Sequence, residues 1–156
     1  MNRFLVCLSL ILVLKSCDSS RVFEDFEDLS SGWAISDTVS FHVELGPSDF
    51  PYMITSQFRA DISYPYSNLY YYFQMSDEKD SLIYSELREV ELFEAKTGKP
   101  LGSGLGDLYH VEDVSFSDLS IAEKSKFKAS VIQYMRLDTL RGIDRIGLRV
   151  NTQSPD

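Results

Sequence analysis

A cysteine near the amino terminus carries the clearest chemical signal in this sequence. Cys17 ends the tetrapeptide LKSC, which follows a mostly apolar run over residues 4–14. These eleven residues are too few for a membrane-spanning helix, which needs about 20, so we interpret the run as a removable leader. Ordinary secretory cleavage prefers a small residue at the position of Leu14, whereas lipoprotein processing takes an aliphatic residue there and a cysteine after the cut. We therefore predict a signal peptide over residues 1–16 and a lipid on the thiol of Cys17.

The composition that remains after such a cleavage limits the partners of the protein. Residues 17–156 carry 13 basic and 24 acidic side chains, a formal charge of about −11. A surface this acidic repels phosphate backbones, so we expect no nucleic-acid partner. Cys17 is the one cysteine left, which excludes a disulfide within the mature chain. We expect one domain with one core, and membrane contact through the lipid on Cys17 alone.

The other residues of chemical interest do not suggest a catalytic or metal site. His42 and His110 are the two histidines, too few for a zinc site without cysteine ligands. Residues 102–106 read GSGLG, a spacing that fits neither a dinucleotide-binding loop nor a nucleophile elbow and indicates a backbone bend. Acidic residues cluster over residues 77–80, where weak calcium binding is the alternative to a solvated surface. We predict no catalytic residue, no metal and no cofactor.

Tyrosines are concentrated in one stretch of the chain, where five of them lie within nine residues. A tyrosine ring is apolar and has a polar tip, so it suits a protein interface or a sugar platform, but packing between two sheets explains the same cluster. The turn YPYSN also combines a fixed proline bend with short polar side chains, which suits a recognition loop. We predict a partner-binding surface made of Tyr64, Tyr66, Asn68, Tyr70, Tyr72 and Arg136.

Alternation of apolar and polar residues predicts the strands that position these side chains. Strands are predicted over residues 39–45, 52–62, 69–75, 129–134 and 146–150, with a weaker one over 86–94. The same alternation predicts a set of buried side chains, namely Phe41, Ile54, Phe58, Phe73, Val131 and Leu148. On the opposite faces we expect Ser40, Arg59 and Arg149 to be more exposed, and we expect Gln57→Ala to cost well under about 1 kcal/mol.

One helix and one architecture complete the structural prediction. Ser120 and Glu123 have the spacing of a capping box, in which a hydroxyl and a carboxylate satisfy free backbone donors, and this predicts a short helix over residues 121–126. Seven or eight strands separated by turn signals indicate an all-β protein, an antiparallel β-sandwich. We expect jelly-roll-like connectivity, and an immunoglobulin-like strand order fits the periodicity as well. The sandwich spans residues 22–151, between a lipidated tether (17–21) and a polar tail (152–156).

Several segments together resemble one protein family. They are Cys17 close to Phe23 and Glu24, Trp33, YPYSNLY (64–70), GSGLGD (102–107), QYMR (133–136), and LRGI (140–143) followed by IGLR (146–149). In their order and spacing they resemble the gliding-motility lipoprotein GldH family of the Bacteroidota. The likeness spans nearly the whole chain after Cys17.

The resemblance implies a lipid-anchored protein of the cell envelope, which we expect in the outer membrane facing the periplasm. It implies partners among other envelope proteins of the gliding or secretion machinery, and it carries over no catalytic residue. The first hypothesis is therefore a non-enzymatic structural or assembly component of an envelope complex. The alternative is a carbohydrate- or ligand-binding envelope lipoprotein that uses Tyr70, Tyr72 or Trp33 as a platform.

Overall fold

A computed structural model describes residues 19–29 and 31–154. The predicted signal peptide and Cys17 lie outside the described residues. The described residues form eleven strands: β1 (Arg21–Asp28), β2 (Trp33–Ala34), β3 (Thr38–Leu45), β4 (Tyr52–Asp61), β5 (Asn68–Ser76), β6 (Leu82–Glu91), β7 (Ser103–Leu105), β8 (Leu108–Leu119), β9 (Ser125–Gln133), β10 (Thr139–Leu140) and β11 (Ile143–Thr152). The first strand thus begins inside the predicted tether, and the last one reaches the predicted tail.

Nine of these strands form two antiparallel sheets that pack face to face. The first sheet has the order β1-β11-β4-β8-β7, and the second has the order β3-β9-β5-β6. Among the eight long strands the pairing is nested, because β1 pairs with β11, β3 with β9, β4 with β8 and β5 with β6. A long hairpin rolled onto itself gives this nesting, which is the connectivity of a jelly roll. The predicted antiparallel β-sandwich is confirmed.

The predicted helix over residues 121–126 is wrong, and no part of the described chain is helical. Ser125 and Lys126 belong to β9, where they pair with the end of β3. The carbonyl of Ile121 accepts a hydrogen bond from the backbone N–H of Ser48. The sheet and the neighbouring loop therefore use backbone groups that a helix would need, and tertiary pairing overrides a local capping signal.

Two long strands, β1 and β8, were not predicted from the sequence, for different reasons. β1 is an edge strand whose side chains are mostly exposed, so it has no buried face that would require an apolar residue at every second position. β8 turns the polar side chains of Asp113 and Ser115 toward the interior, and its pairing with β4 shifts register twice around Ile54. Polar residues on the inner face interrupt the alternation of apolar and polar residues from which a strand is predicted.

The core lies between the two sheets and confirms the predicted alternation. All six side chains predicted to be buried are at most 4% exposed. Ser40 is exposed, and Arg59 and Arg149 are half-buried. Gln57, which belongs to the polar set of its strand, is only 2% exposed on the outer face of the first sheet. It is covered because its amide donates to Glu112 of the neighbouring strand β8 and, across β11, to Glu24 of β1.

A hydrogen-bonded network crosses the interior and ties the two sheets together. The hydroxyl of Tyr71 in β5 donates to the Asp113 carboxylate of β8 at 2.5 Å and contacts the Ser115 hydroxyl at 3.1 Å. Arg88 in β6 donates its Nε to the same carboxylate at 2.6 Å. Burial, followed by the hydrogen bond to Asp113, raises the pKa of Tyr71. Asp113, one of the inward-facing polar residues of β8, therefore fixes the edge strand β6 over the first sheet.

Two neighbouring substitutions in β4 test the register of the sandwich. Phe58 is 0% exposed and packs its ring edge-to-face on Tyr71, so Phe58→Ala should reduce the free energy of unfolding by about 3–5 kcal/mol through the cavity it leaves. Arg59→Ala, on the outer face, should cost under about 1 kcal/mol. Urea unfolding of the two variants measures both values. Equal losses would mean that the strand is misread by one residue.

Candidate functional site

An open groove on the outer face of the second sheet contains two exposed tyrosines, Tyr70 and Tyr134. It has a volume of about 420 Å³, and we call it the tyrosine groove, defined by Tyr70, Leu87, Tyr134, Met135 and Arg136. Tyr70 is 37% exposed, and Leu87 and Tyr134 are each 44% exposed. Apolar side chains this exposed, grouped on one face and bordered by a cation, have the composition of an interaction surface.

Strand alternation explains why this face is apolar while the other side of the same strand is core. In β5, Leu69, Tyr71 and Phe73 point inward and are fully buried. Tyr70 and Tyr72 therefore point outward, and Tyr72 lies opposite Leu87 of β6 in the sheet. The ring of Tyr72 contacts Tyr134 edge-to-face, with 5.1 Å between ring centroids. Aromatic residues from β5 and from the segment after β9 thus meet on one surface.

The segment that follows β9 is held in place by backbone and side-chain hydrogen bonds. The N–H of Tyr134 donates to the carbonyl of Tyr70 at 2.8 Å. Gln133 is 1% exposed, and its side chain accepts from the N–H of Met135 and donates to the carbonyl of Leu137. One buried amide therefore fixes both sides of a short surface loop.

Arg136 at the tip of this loop has an unusual backbone conformation. Its φ is +57°, in the left-handed region that side chains other than glycine rarely adopt. Its side chain is exposed at the rim of the groove. A non-glycine residue held in this region costs of order 1 kcal/mol or more, and such residues concentrate at functional sites. The strain supports the prediction that Arg136 belongs to a binding surface.

The structure separates the six predicted surface residues. Tyr70 and Arg136 line the groove, and Tyr72 contacts the groove residue Tyr134. Asn68 lies nearby on the same face, where its amide donates to Glu89 of β6 at 2.6 Å. A hydrogen bond to the same Glu89 carboxylate is the largest cause of the raised pKa of Tyr70. Asn68 and Tyr70 are therefore both tied to the edge strand next to the groove.

Tyr64 does not belong to the predicted surface, because it is only 6% exposed. Its ring stacks on Phe93, its hydroxyl donates to the carbonyl of Asn68 at 2.9 Å, and burial raises its pKa. Gly142 lies so close to the Tyr64 backbone that a Cβ there would be 2.7 Å from its Cα. Tyr66 is 39% exposed and packs on Tyr64, outside the groove. Trp33, considered as a sugar platform, is 0% exposed.

Three groove residues, Leu87, Tyr134 and Met135, were missed as site residues. Tyr134 and Met135 lie in the QYMR segment that supports the family resemblance, but local alternation assigned Tyr134 to a strand apolar on both faces. Leu87 lies in the weakly predicted strand, and nothing local indicates that it stands beside Tyr72. These residues come together only because strands distant in the sequence pair with each other, and no local pattern indicates that pairing.

The other candidate sites from the sequence are occupied by internal contacts. Asp77 accepts hydrogen bonds from the backbone N–H groups of Lys79 and Ser81, and Asp80 pairs with Lys128. His110 contacts Glu112 at 3.1 Å. Residues 102–106 contain β7, which pairs with β8 at the edge of the first sheet. In the part of the chain that the structure covers, no three His, Cys, Asp or Glu side chains are grouped as a metal site.

The described residues contain no helix that is long and apolar enough to span a membrane.

Comparisons with known proteins place the chain among lipoproteins. The family model described as GldH lipoprotein matches residues 21–150. The gliding motility lipoprotein GldH of Flavobacterium johnsoniae is 26% identical over 161 aligned residues, which cover 93% of each chain. No solved structure matches the chain.

Two tyrosines of one turn should differ sharply in their contribution to stability. Tyr64→Ala should reduce the free energy of unfolding by about 3–5 kcal/mol, because it empties a buried site against Phe93. Tyr66→Ala, which removes an exposed ring, should cost under about 1 kcal/mol. Urea denaturation of both variants measures the difference. A loss at Tyr66 as large as that at Tyr64 would place both rings in the core.

Proposed function

The chain belongs to the GldH lipoprotein family, and we propose that it is a non-enzymatic structural or assembly component of an envelope complex for gliding motility and the associated protein secretion. The observation that carries this proposal is the tyrosine groove, an exposed aromatic surface on a rigid sheet with a strained arginine at its rim. Interface energy concentrates in a few aromatic and arginine anchors. The groove supplies two tyrosines and one arginine within one patch.

The groove suits a partner protein because its walls are fixed. Tyr70 is part of β5, Leu87 is part of β6, and buried Gln133 holds the loop that carries Met135 and Arg136. A site preorganised in this way loses little conformational entropy when a partner binds. Its partners are other envelope proteins of the gliding or secretion machinery.

The lipid on Cys17 is the proposed membrane anchor, with the outer membrane facing the periplasm as the location. β1 begins at Arg21, so three residues, or four Cα-to-Cα steps, separate the anchor from the first strand. A fully extended chain of this length spans about 14 Å at most. The sandwich over residues 22–151 would then stay close to the bilayer, where its groove meets other membrane-attached proteins.

Removing the acylated thiol tests the anchor. Cys17→Ala should move the full-length protein from the membrane fraction to the soluble periplasmic fraction, or leave it with an uncleaved leader, and should abolish labelling by radioactive palmitate. Cell fractionation and autoradiography measure these two results. If the Cys17→Ala variant stays with the membrane and still takes up the label, the proposed lipid attachment at Cys17 is contradicted.

Groove substitutions test the partner surface. The full-length tagged protein is purified from detergent-solubilised envelope, and co-purified proteins are quantified by mass spectrometry. Tyr70→Ala, Tyr134→Ala and Arg136→Ala should each reduce the yield of gliding or secretion components about tenfold, the effect of losing about 1.4 kcal/mol of binding energy. Their melting temperatures should not change, because these side chains are exposed.

Phe50→Ala is the matched control, since Phe50 is 41% exposed and does not line the groove. It should retain wild-type recovery of the partners. Equal recovery from wild type and all three groove variants would contradict the proposed surface. Recovery of a bound glycan in place of any envelope protein would favour the ligand-binding alternative.

A further inference from the structure

The edge strand β6 combines features that indicate strand-to-strand pairing. It ends the second sheet, pairs only with β5 within the described chain, and runs for ten residues. Its pairing with β5 is regular from Tyr84 to Glu91, with one register shift beyond that stretch. Leu82 is 59% exposed and Ile83 is 60% exposed. A long, regular edge with exposed apolar side chains is a template for another strand.

The other edge of the same sheet is different in character. β3 alternates buried apolar residues with outward-facing Ser40, His42 and Glu44. Such a polar outer row discourages pairing with another chain. β7, at the edge of the first sheet, has only three residues. The aliphatic side chains of β6 therefore need an explanation that edge protection does not give.

We propose that the strand which pairs with β6 is β6 of a second copy of this chain, antiparallel, with a two-fold axis at Leu87. In this register Glu86 lies opposite the second copy's Arg88, and Arg88 lies opposite the second copy's Glu86. Opposite charges directly across an antiparallel pair stabilise it. The residue on the axis, Leu87, meets its own equivalent in an apolar contact. A two-fold axis requires such self-complementarity, and β6 has it.

The neighbouring registers place like charges on the axis. Moving the axis by one residue toward the amino terminus sets Glu86 against Glu86, and moving it toward the carboxyl terminus sets Arg88 against Arg88. Like charges directly opposite each other destabilise a strand pair. The sequence of β6 therefore favours the register centred on Leu87 over both of its neighbours.

Arg88 has hydrogen-bonding capacity for the second copy. Its Nε and Nη2 donate to Asp113, and its Nη1 donates to Glu86 of its own chain at 2.7 Å. A guanidinium has five N–H groups, so two remain for a further carboxylate. Glu86 is 46% exposed, which leaves its carboxylate accessible. The ion pair that holds β6 over the first sheet would then continue across the two-fold axis.

The pairing would join the two tyrosine grooves into one surface. On the outer face, Ile132, Tyr72 and Leu87 form a row across β9, β5 and β6. The two-fold axis would continue this row into the same three residues of the second copy, in reverse order. Two sheets of four strands would become one sheet of eight. The dimer is a separate inference, since it depends on β6 alone and not on what binds in the groove.

Cysteine cross-linking in the envelope of living cells tests the register with the full-length chain. Leu87→Cys places two thiols on the axis, where paired Cα atoms lie about 4.5–5.5 Å apart, within disulfide range. Mild oxidation should convert most of this variant into a species of twice the mass on a non-reducing gel. The wild type, with its own Cys7 and Cys17, sets the background.

Two further variants control for random collision. Ser85→Cys and Glu89→Cys should not cross-link when expressed singly, because equivalent residues are four positions apart along the strands, about 14 Å. Co-expression of the two variants should give a cross-linked pair, because residue 85 lies opposite residue 89 of the second copy. This result would not follow from nonspecific contact.

Three outcomes would overturn the proposal. Leu87→Cys chains that melt at the wild-type temperature but stay at monomer mass would show that β6 does not pair with itself. A cross-linked species of some other mass would show that the strand comes from a different protein. Comparable single-variant cross-linking at residues 85, 87 and 89 would equally reject the register.

Discussion

The carboxylate of Asp113 is the contact on which the rest of the structure depends. It accepts hydrogen bonds from Tyr71 in β5 and from Arg88 in β6, so one acidic side chain of the first sheet holds two strands of the second. Arg88 and Asp113 are about one fifth exposed, so solvent screens part of their attraction. The directional bonds still fix how the two sheets face each other at the side where β6 would otherwise be free. Apolar packing alone does not specify such an alignment, because it is not directional.

The surface features follow from this internal fixation. β5 and β6 each place one set of side chains inside and the alternate set outside. Tyr71 and Arg88 hold the strands from within, while Tyr70 and Leu87 remain exposed on the outer face and Tyr72 is half-buried there. A sheet built in this way keeps its fold independent of the residues that a partner would contact.

The sequence located part of the candidate site and missed the rest for a consistent reason. Tyr70 and Tyr72 were identified from their density along the chain, and alternation places them on the outer face. Tyr64 belongs to the same cluster but is buried, because the turn folds it against Phe93 and next to Gly142. Local composition cannot predict which tyrosine is buried and which is exposed, because that depends on the distant segment that packs on each of them.

The sequence by itself determined the fold class and most of the core. Alternation with a period of two residues depends only on the geometry of one strand. The buried faces that contain Phe41, Phe58 and Phe73 could therefore be predicted without knowing any partner strand.

The tertiary structure alone decided the jelly-roll order, the loop and the start of β9 over residues 121–126 in place of a helix, and the existence of β8. β8 was not predicted because Asp113 and Ser115 face inward and interrupt its alternation of apolar and polar residues. Polar residues are stable in the interior only when donors and acceptors from other strands form hydrogen bonds with them. Such partners are up to 59 residues away in the chain, so no local window contains the information.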